Sequence, residues 1–315
     1  MNASILARLE RIPVPLLPGM VAAATLSNVY DGLGFHLVRH LTMGAGTAVV
    51  LAYLCKLLLH PKTCRSEYCT TVPCSLYAGL TMLTMILGGY YHAWFPVFGK
   101  TVWLAGLVVH AVHIVAFTWR NVVASRVVDT FVPSWFVTYN GIMVSCVVGG
   151  AMNEPGLLRV VTYYGIAAYF LLLVPLILRL KKHELKPGML HTQAIFLAPC
   201  SLCLVSYLNV AAEPEYALVM LLYLCVIGSL AFVLYMLPRF FSVPFTPAFA
   251  GMTFPMAIGI VASLKMSGYF TGQGQAALGA FAGQMAGTQL YVTTAIVGMV
   301  LFNFAKMLRG KPTRT

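Results

Sequence analysis

The chain has 315 residues, of which 60% are hydrophobic and only 9% charged, and its formal net charge is +12. Soluble domains average about 25% charged residues, so this composition excludes a soluble globule and favours an all-α protein that folds within a bilayer. The positive charge does not predict nucleic-acid binding, because the basic residues are few and lie in short loops between apolar runs.

Ten apolar runs are long enough to cross the hydrocarbon core, which requires roughly 20 residues of helix. They predict ten transmembrane helices, numbered here as segments one to ten, in a single transmembrane domain spanning residues 1–315. In chain order the predicted segments are 14–31, 36–59, 71–91, 98–119, 132–152, 157–180, 190–210, 215–238, 246–267 and 275–306. No run between them is long enough for a soluble domain.

The distribution of lysine and arginine over the loops predicts the orientation of the chain. If the N-terminus lies in the cytoplasm, sixteen of the 20 basic residues are cytoplasmic, and the other four are Arg39, Lys100, Arg159 and Lys265. Cytoplasmic loops of membrane proteins are enriched in these residues. We therefore expect a multi-pass protein of the cell membrane with both termini in the cytoplasm, which also requires an even number of helices.

Prolines recur in the odd-numbered segments. Segments one, three, five, seven and nine contain Pro18, Pro73, Pro133, Pro199 and Pro255, separated by 55, 60, 66 and 56 residues. Each interval fits two helices with their loops, which predicts five helical hairpins with a proline kink in the first helix of each. We expect the odd helices to be inner, around a central pore, and the even helices to be outer.

A proline within a helix leaves one carbonyl without its usual partner, and in a membrane that carbonyl needs a polar neighbour or a water-lined cavity. The carbonyls predicted to be free are those of Val14, Cys69, Asp129, Ile195 and Gly251. A ring of kinked helices would direct them at the central path. Membrane helices also tolerate proline without such a role, and Pro73 and Pro133 lie near helix starts, where proline costs little.

Segment ten carries three glycines, Gly279, Gly283 and Gly287, at four-residue spacing. This spacing places them on one face of the helix, where they permit close contact with another helix. The sequence alone does not decide whether this ridge packs within one subunit or between subunits.

The positions of the acidic residues indicate the charge of the permeating species. All eight, Glu10, Asp31, Glu67, Asp129, Glu154, Glu184, Glu213 and Glu215, map to loops or helix ends. Cation pores and proton-driven pumps commonly use carboxylates within the membrane. A path without carboxylates suits anions and an uncoupled mechanism. We expect Arg120, Arg126 and Arg239 to attract anions at its cytoplasmic mouth.

Two histidines in segment four, His110 and His113, are predicted to be buried, and an ionisable residue within a membrane is a candidate functional group. Three interpretations are open. The two histidines are structural residues bonded to Ser, Thr or backbone groups; His113 serves as a proton site; or the pair binds haem or metal together with His36 and His40. The last interpretation is disfavoured, because His110 lies near mid-bilayer and His40 near the outer face.

No catalytic or cofactor motif is visible in the sequence. Gly272 and Gly274 precede a helix, but no strand precedes them, as a dinucleotide-binding fingerprint requires. Cys64, Cys69 and Cys74 share a predicted cytoplasmic loop, yet a zinc site needs more ligands at closer spacing. We expect no enzyme activity, no metal and no cofactor.

Two runs resemble a known family. Residues 245–257 read FTPAFAGMTFPMA, and residues 195–200 read IFLAPC. The first resembles the Phe-x-Pro-Ser-Trp-Trp-Ala-x-Thr-Phe-Pro-Leu run of the tellurite-resistance/dicarboxylate transporter family, and the second its Ile-x-Ala-Pro-Pro run. That family includes the bacterial tellurite-resistance channel, fungal malate permeases and the slow anion channels of plant guard cells. This chain departs from the pattern at Ala248, Phe249 and Cys200.

The resemblance implies five inner helices around a narrow pore, five outer helices and a homotrimer. In the family, the phenylalanine of the Thr-Phe-Pro run blocks the pore, and that residue is Phe254 here. Phe254 lies roughly 12 Å into segment nine at 1.5 Å per residue. A bulky apolar ring beside a proline can close a narrow pore or pack as ordinary core, and the resemblance favours the gate.

We therefore predict a passive channel for small anions that is closed at rest by Phe254. Chloride, nitrate, sulfite, tellurite and malate all fit the pattern. The alternatives are a proton-coupled mono- or dicarboxylate transporter that uses His113, a tellurite or sulfite exporter of the same family, and a haem- or quinone-linked redox membrane protein.

Overall fold

The computed structural model describes residues 3–125, 130–183, 185 and 187–310, and over these residues every regular element is a helix. The α-helices are α1 Ala3–Glu10, α2 Leu16–Gly32, α3 His36–Leu59, α4 Pro61–Tyr68, α5 Thr71–Leu76, α6 Ala78–His92, α7 Pro96–Thr118, α8 Trp135–Gly141, α9 Val144–Val148, α10 Pro155–Lys182, α11 Leu197–Val210, α12 Tyr216–Phe240, α13 Ala250–Gly272 and α14 Ala276–Arg309. A π-helical turn covers Trp119–Val123, and 3₁₀ segments cover Gly150–Met152, Pro187–Phe196 and Pro247–Phe249.

Eight helical stretches in the described part of the chain are long and apolar enough to cross a membrane. They are His36–Leu59, Thr71–His92, Pro96–Val123, Pro155–Lys182, Gly188–Val210, Tyr216–Phe240, Pro247–Gly272 and Ala276–Arg309. In a bilayer, helices satisfy their own backbone hydrogen bonds, and for this reason such apolar runs fold as helices. The protein is thus a multi-pass helical membrane protein. Segment one corresponds to α2, which has 17 residues, 13 of them buried.

Burial separates two groups of helices. The stretches of segments three, seven and nine are between 72% and 78% buried within the chain, whereas those of the five even segments are between 22% and 33% buried. The buried elements contact one another in a closed cycle, from α2 to α6, to α8 and α9, to α11, to α13 and back to α2. Each even helix lies against this cycle, and its remaining surface is apolar and exposed.

The predicted continuous helix over 132–152 is not observed. The structure divides this segment into α8 and α9, which are separated by a turn at Ile142 and Met143 and followed by a 3₁₀ turn. Pro133 precedes α8 and lies outside it. Hydropathy identified the segment correctly as apolar, but it reports transfer free energy and contains no information on where a helix ends.

The predicted proline kinks are wrong for most of the odd segments. Pro18, Pro73 and Pro199 are each the third residue of a helix, in α2, α5 and α11. The first N–H groups of a helix have no partner within it, so proline costs little at such positions. Of the five, only Pro255 lies inside a regular helix, as the sixth residue of α13.

The prediction of free carbonyls is also wrong for two of its residues. The Val14 carbonyl accepts a hydrogen bond from the Leu17 N–H at 3.0 Å. The Cys69 carbonyl accepts one from the Arg120 guanidinium at 2.6 Å. Asp129 lies outside the described residues. These two carbonyls near prolines are therefore satisfied by neighbouring groups, as the low polarity of a membrane interior requires.

Close contacts at glycine hold the α6–α7 pair together. A Cβ atom on Gly88 would lie 2.5 Å from the backbone nitrogen of Trp103. The ridge of segment ten is used in a similar way within the chain, because a Cβ on Gly279 would lie 2.3 Å from the Thr271 hydroxyl, and one on Gly283 3.2 Å from the Ser267 hydroxyl. Gly287 has no such neighbour within 4 Å.

We expect Gly88→Ala to destabilise the protein by about 1–3 kcal/mol, because the added methyl group meets the backbone of α7 and cannot be accommodated by a side-chain rotation. Gly44→Ala in α3 is the matched control, since a Cβ there has no neighbour within 4 Å. Thermal unfolding of the detergent-purified variants measures the effect. Equal melting temperatures for Gly88→Ala and Gly44→Ala would contradict the contact.

Candidate functional site

A narrow cavity lies where the buried elements meet. Its volume is about 20 Å³, which is room for about one water molecule. Every odd segment contributes to its wall: Pro18 from segment one; Leu76 and Met82 from three; Phe136, Val137 and Gly141 from five; Ile195, Ala198 and Leu202 from seven; and Ala250, Gly251, Phe254 and Pro255 from nine. The cycle of buried helices therefore encloses a space on its own axis.

A wide cavity of about 710 Å³ lies towards the C-terminal ends of α2 and α13. Its wall includes Asn28 of α2, Leu33 directly after α2, Ile258 and Lys265 of α13, and Val148 of α9. Part of the wall comes from α14, where Gly287 leaves space. Phe254 lines both the wide and the narrow cavity. The two cavities thus meet at one aromatic residue.

Phe254 is the fifth residue of α13 and is 6% exposed. The residue before it, Thr253, donates a hydrogen bond to the Ala250 carbonyl at 2.7 Å and lies 3.4 Å from the Pro18 carbonyl of α2. Pro255 follows directly and fixes the local backbone angle. The backbone directly before Phe254 is therefore held against α2 through Thr253.

Helix N-termini converge on the narrow cavity. Its lining residues include the third residue of α2, the second of α11 and the first two of α13, which are Pro18, Ala198, Ala250 and Gly251. The N-terminal end of a helix carries a partial positive charge and N–H groups without intrahelical partners. The axial space is thus apolar in its side chains and lies beside the positive ends of helix dipoles, whereas the N–H groups of Leu16, Leu17 and Gly19 in α2 are paired with carbonyls of the preceding turn.

The described residues that line the two cavities include no Asp or Glu, and Lys265 in the wide cavity is their only charged side chain. Asn28 in the same wall accepts a hydrogen bond from Arg39 at 3.0 Å, and Arg39 also pairs with Asp31 at 2.9 Å. Sequence reasoning did not single out Lys265 or Asn28 as site residues. The only available signal was that Lys265 is one of four basic residues on the minority side.

The two histidines of segment four have polar partners at each ring nitrogen. His110 lies 2.7 Å from the Thr81 hydroxyl through Nδ1 and 2.9 Å from the Thr138 carbonyl through Nε2. Since a carbonyl only accepts, Nε2 of His110 carries a proton. His113 contacts the Tyr68 hydroxyl at 2.8 Å through Nδ1 and the Thr138 hydroxyl at 3.4 Å through Nε2. Neither ring lines the narrow or the wide cavity, which together are the axial cavities.

Tyr68 connects His113 to the helix α4, outside the membrane-spanning stretches. Burial raises the pKa of the Tyr68 phenol well above its usual value of 10. The phenol therefore keeps its proton at neutral pH and can donate it to Nδ1 of His113. These contacts favour the structural interpretation of the pair, in which polar groups join α4, α7 and α8.

The predicted cytoplasmic arginines are not brought together by the fold. Arg120 donates to the Cys69 carbonyl at the start of segment three. Arg239 lines a lateral groove between α10 and α12, together with Lys181. Arg126 lies outside the described residues. Neither Arg120 nor Arg239 lines the narrow or the wide cavity.

A buried ion pair lies near the start of α6. Lys56 of α3 is fully buried, and its ammonium group donates to the Glu67 carboxylate at 2.7 Å and to the Ile12 carbonyl at 2.8 Å. The second carboxylate oxygen of Glu67 accepts a hydrogen bond from the Tyr77 hydroxyl at 2.5 Å. Tyr77 lies at the break between α5 and α6. The cluster thus anchors the break in segment three to α3 and to the N-terminal loop.

Within the described ranges, no group of three or more His, Cys, Asp or Glu residues is placed to hold a metal ion. The cysteines of the predicted cytoplasmic loop, Cys64, Cys69 and Cys74, are free thiols. The described residues that line the two cavities are therefore mostly apolar, with a few polar side chains such as Asn28 and one lysine, Lys265.

A family model described as a voltage-dependent anion channel matches residues 15–308 of the chain. The match extends from the start of α2 to the last turn of α14 and so includes every element that lines the two cavities. It confirms the family predicted from the runs at 195–200 and 245–257. No curated protein matches the chain closely enough to add to this result.

We expect Glu67→Gln to destabilise the protein by about 3–5 kcal/mol, because it leaves the buried Lys56 charge without a carboxylate. The amide can accept from only one of the two donors, Lys56 and Tyr77, and presents an N–H₂ group to the other. Thermal unfolding in detergent measures the change.

The matched control is Glu154→Gln, which breaks the exposed ion pair with Lys100 at 2.6 Å. We expect that change to cost less than about 1 kcal/mol. Similar losses of stability in the two variants would argue against the anchoring role of the Lys56–Glu67 pair.

Proposed function

Since the chain belongs to the voltage-dependent anion channel family, we propose that it forms a passive pathway for small anions along the axis of its cycle of buried helices. The observation that carries this proposal is that Phe254 lines both axial cavities. In this proposal ten transmembrane segments form five hairpins, with the odd segments inside. The Phe254 ring separates the cavities and keeps the resting pathway closed.

The preference for anions is supported by the groups around the path. The cavity walls have no carboxylate among the described residues, and the first turns of α2, α11 and α13 face the narrow cavity. An anion at this point would be stabilised by the positive ends of helix dipoles. A cation would meet no carboxylate of the described residues there.

Basic residues extend this preference to the two mouths. Lys265 lies in the wide cavity, and Arg120 is held at the start of segment three. We propose that these charges raise the local anion concentration, as electropositive clefts do. Arg126 stays a prediction of the sequence, and Arg239 contributes only at long range from its lateral position.

We also propose the orientation and the assembly. The narrow cavity faces the cytoplasm, both termini are cytoplasmic, and the protein lies in the cell membrane, as the distribution of 20 lysines and arginines favours. The resemblance to the tellurite-resistance/dicarboxylate transporter family favours a homotrimer. Because the cycle of buried helices closes within one chain, each subunit would contain its own pathway.

We expect Phe254→Ala to increase the anion current by at least about tenfold, because a barrier lower by about 1.4 kcal/mol is sufficient for that change. Removal of the ring joins the narrow cavity to the wide one and lets water and ions pass. Voltage-clamped planar bilayers containing the purified protein in chloride or nitrate measure the current.

The matched control is Phe270→Ala, which removes the same side chain from the same helix. Phe270 is 3% exposed, contacts Tyr223 of α12 and lines neither axial cavity. Its variant should conduct like the wild type. A folded Phe254→Ala protein with an unchanged current would exclude Phe254 as the gate.

A second candidate function is a proton-coupled transporter of a mono- or dicarboxylate such as malate. The observation on which it rests is that the Tyr68 hydroxyl lies 2.8 Å from Nδ1 of His113, which links a titratable group within a spanning helix to α4. Export of tellurite or sulfite by the same pathway is compatible with either mechanism.

We expect a pH gradient to leave the reversal potential of the anion current unchanged, because a passive pathway responds only to the anion gradient. His113→Gln should then keep the wild-type reversal potential, since its amide can still hydrogen-bond to Tyr68. A reversal potential that follows the pH gradient in the wild type, and loses this dependence in His113→Gln, would establish the coupled mechanism instead.

A further inference from the structure

A lateral groove separates two outer helices on the side of the chain away from the axial cavities. It has a volume of about 930 Å³ and lies between α10 and α12, over the 3₁₀ segment Pro187–Phe196. Most of its wall is apolar and includes Tyr169 and Leu173 of α10 and Phe232 of α12. An apolar groove of this size on a membrane-spanning surface is open to lipid.

Two basic residues lie at one end of this groove. Lys181 is in the last turn of α10, and Arg239 is in the last turn of α12. Both line the groove, together with Gln193 and Ser242. Among the described residues, no acidic side chain forms an ion pair with Lys181 or Arg239. This end of the groove is therefore positive and offers several hydrogen-bond donors.

The length of the groove agrees with that of one lipid leaflet. Tyr169 is twelve residues before Lys181 on α10, and Cys225 is fourteen residues before Arg239 on α12. At 1.5 Å per residue these separations correspond to about 18 Å and 21 Å along the helices. Half of the hydrocarbon core of a bilayer is about 15 Å. An acyl chain with its headgroup at the basic end would therefore fill the groove.

We propose that this groove binds an anionic phospholipid of the cytoplasmic leaflet, with its phosphate between Lys181 and Arg239 and one acyl chain between α10 and α12. Basic pockets between transmembrane helices on the cytoplasmic side are suited to anionic headgroups. A small soluble anion would not use the apolar length, and a neutral lipid would not use the two charges. The inference is independent of the proposed axial pathway, and its choice of leaflet rests on the proposed orientation of the chain.

Gly228 offers a clean way to test the acyl-chain half of the site. It lies in the wall of the groove, within α12, and a Cβ atom added there has no neighbour within 4 Å. Gly228→Leu therefore adds volume to the groove from a position where its Cβ atom meets no neighbour within 4 Å. Gly298→Leu in α14 is the matched control, since Gly298 is also free of neighbours and does not line the groove.

Native mass spectrometry of the detergent-purified protein tests the proposal by titration with phosphatidylglycerol, phosphatidylcholine or glycerol 3-phosphate. We expect the wild type to bind one phosphatidylglycerol per chain more tightly than phosphatidylcholine. Loss of both charges in Lys181→Gln/Arg239→Gln should weaken phosphatidylglycerol binding about thirty-fold, because each basic residue near the membrane surface contributes about 1 kcal/mol and about 1.4 kcal/mol corresponds to tenfold. Gly228→Leu should weaken it at least about tenfold.

Two control variants should bind phosphatidylglycerol like the wild type. One is Gly298→Leu, and the other is the charge-matched Lys62→Gln/Arg65→Gln, which changes two exposed residues of α4. If Gly228→Leu alone lacks an effect, the basic end is only a surface patch for anions, and the proposal fails. If the double variant alone lacks an effect, the groove holds neutral lipid or detergent, and the proposal fails equally. Competition by glycerol 3-phosphate at the same concentration would identify a soluble anion as the ligand instead.

Discussion

The requirement that every backbone polar group be satisfied without water shapes the centre of this protein. An unbroken helix meets that requirement internally, but each of the buried segments one, three, five, seven and nine begins at a turn, a 3₁₀ segment or a break. The groups released at these breaks have local partners, such as the Leu17 N–H for Val14 and the Arg120 guanidinium for Cys69. The breaks are therefore stable features of the fold, and they place helix N-termini beside the narrow cavity.

The consequence of this arrangement is an axial space with unusual chemistry. Its side chains are apolar, so it excludes ions when it is narrow and closed by a ring. The positive ends of helix dipoles lie beside it, so a negative ion would be stabilised there. In the proposed pathway, selectivity and closure would thus come from neighbouring parts of one helix, because α13 contributes both its first turn and Phe254 to the cavity wall.

The sequence predicted the outer helices well and the inner ones less well. Segment two was predicted at 36–59 and is observed as His36–Leu59, and segments six, eight and ten differ from their helices by a few residues at each end. Segments three, five, seven and nine contain breaks that hydropathy does not detect, because an apolar residue contributes the same transfer free energy in a turn as in a helix. The recurrent prolines carried the missing signal, but a proline at the third position of a helix marks its beginning rather than a kink.

The candidate site was predictable where the signal was local and not predictable where it was long-range. Phe254 was identified because Thr253, Phe254 and Pro255 are consecutive. The pairing of Glu67 with Lys56 and Tyr77, and the contact of Asn28 with Arg39, join residues 10 or 11 positions apart whose partners depend on the packing of helices. Loop charges have the same limitation. Arg120 and Arg239 were predicted to lie together at the cytoplasmic mouth, but the packing of the helices places Arg120 against the Cys69 carbonyl and Arg239 in the lateral groove. For a helical membrane protein, composition and periodicity thus determine which residues are at what depth, whereas function depends on the direction in which each residue points, and that direction is fixed by the breaks in the inner helices.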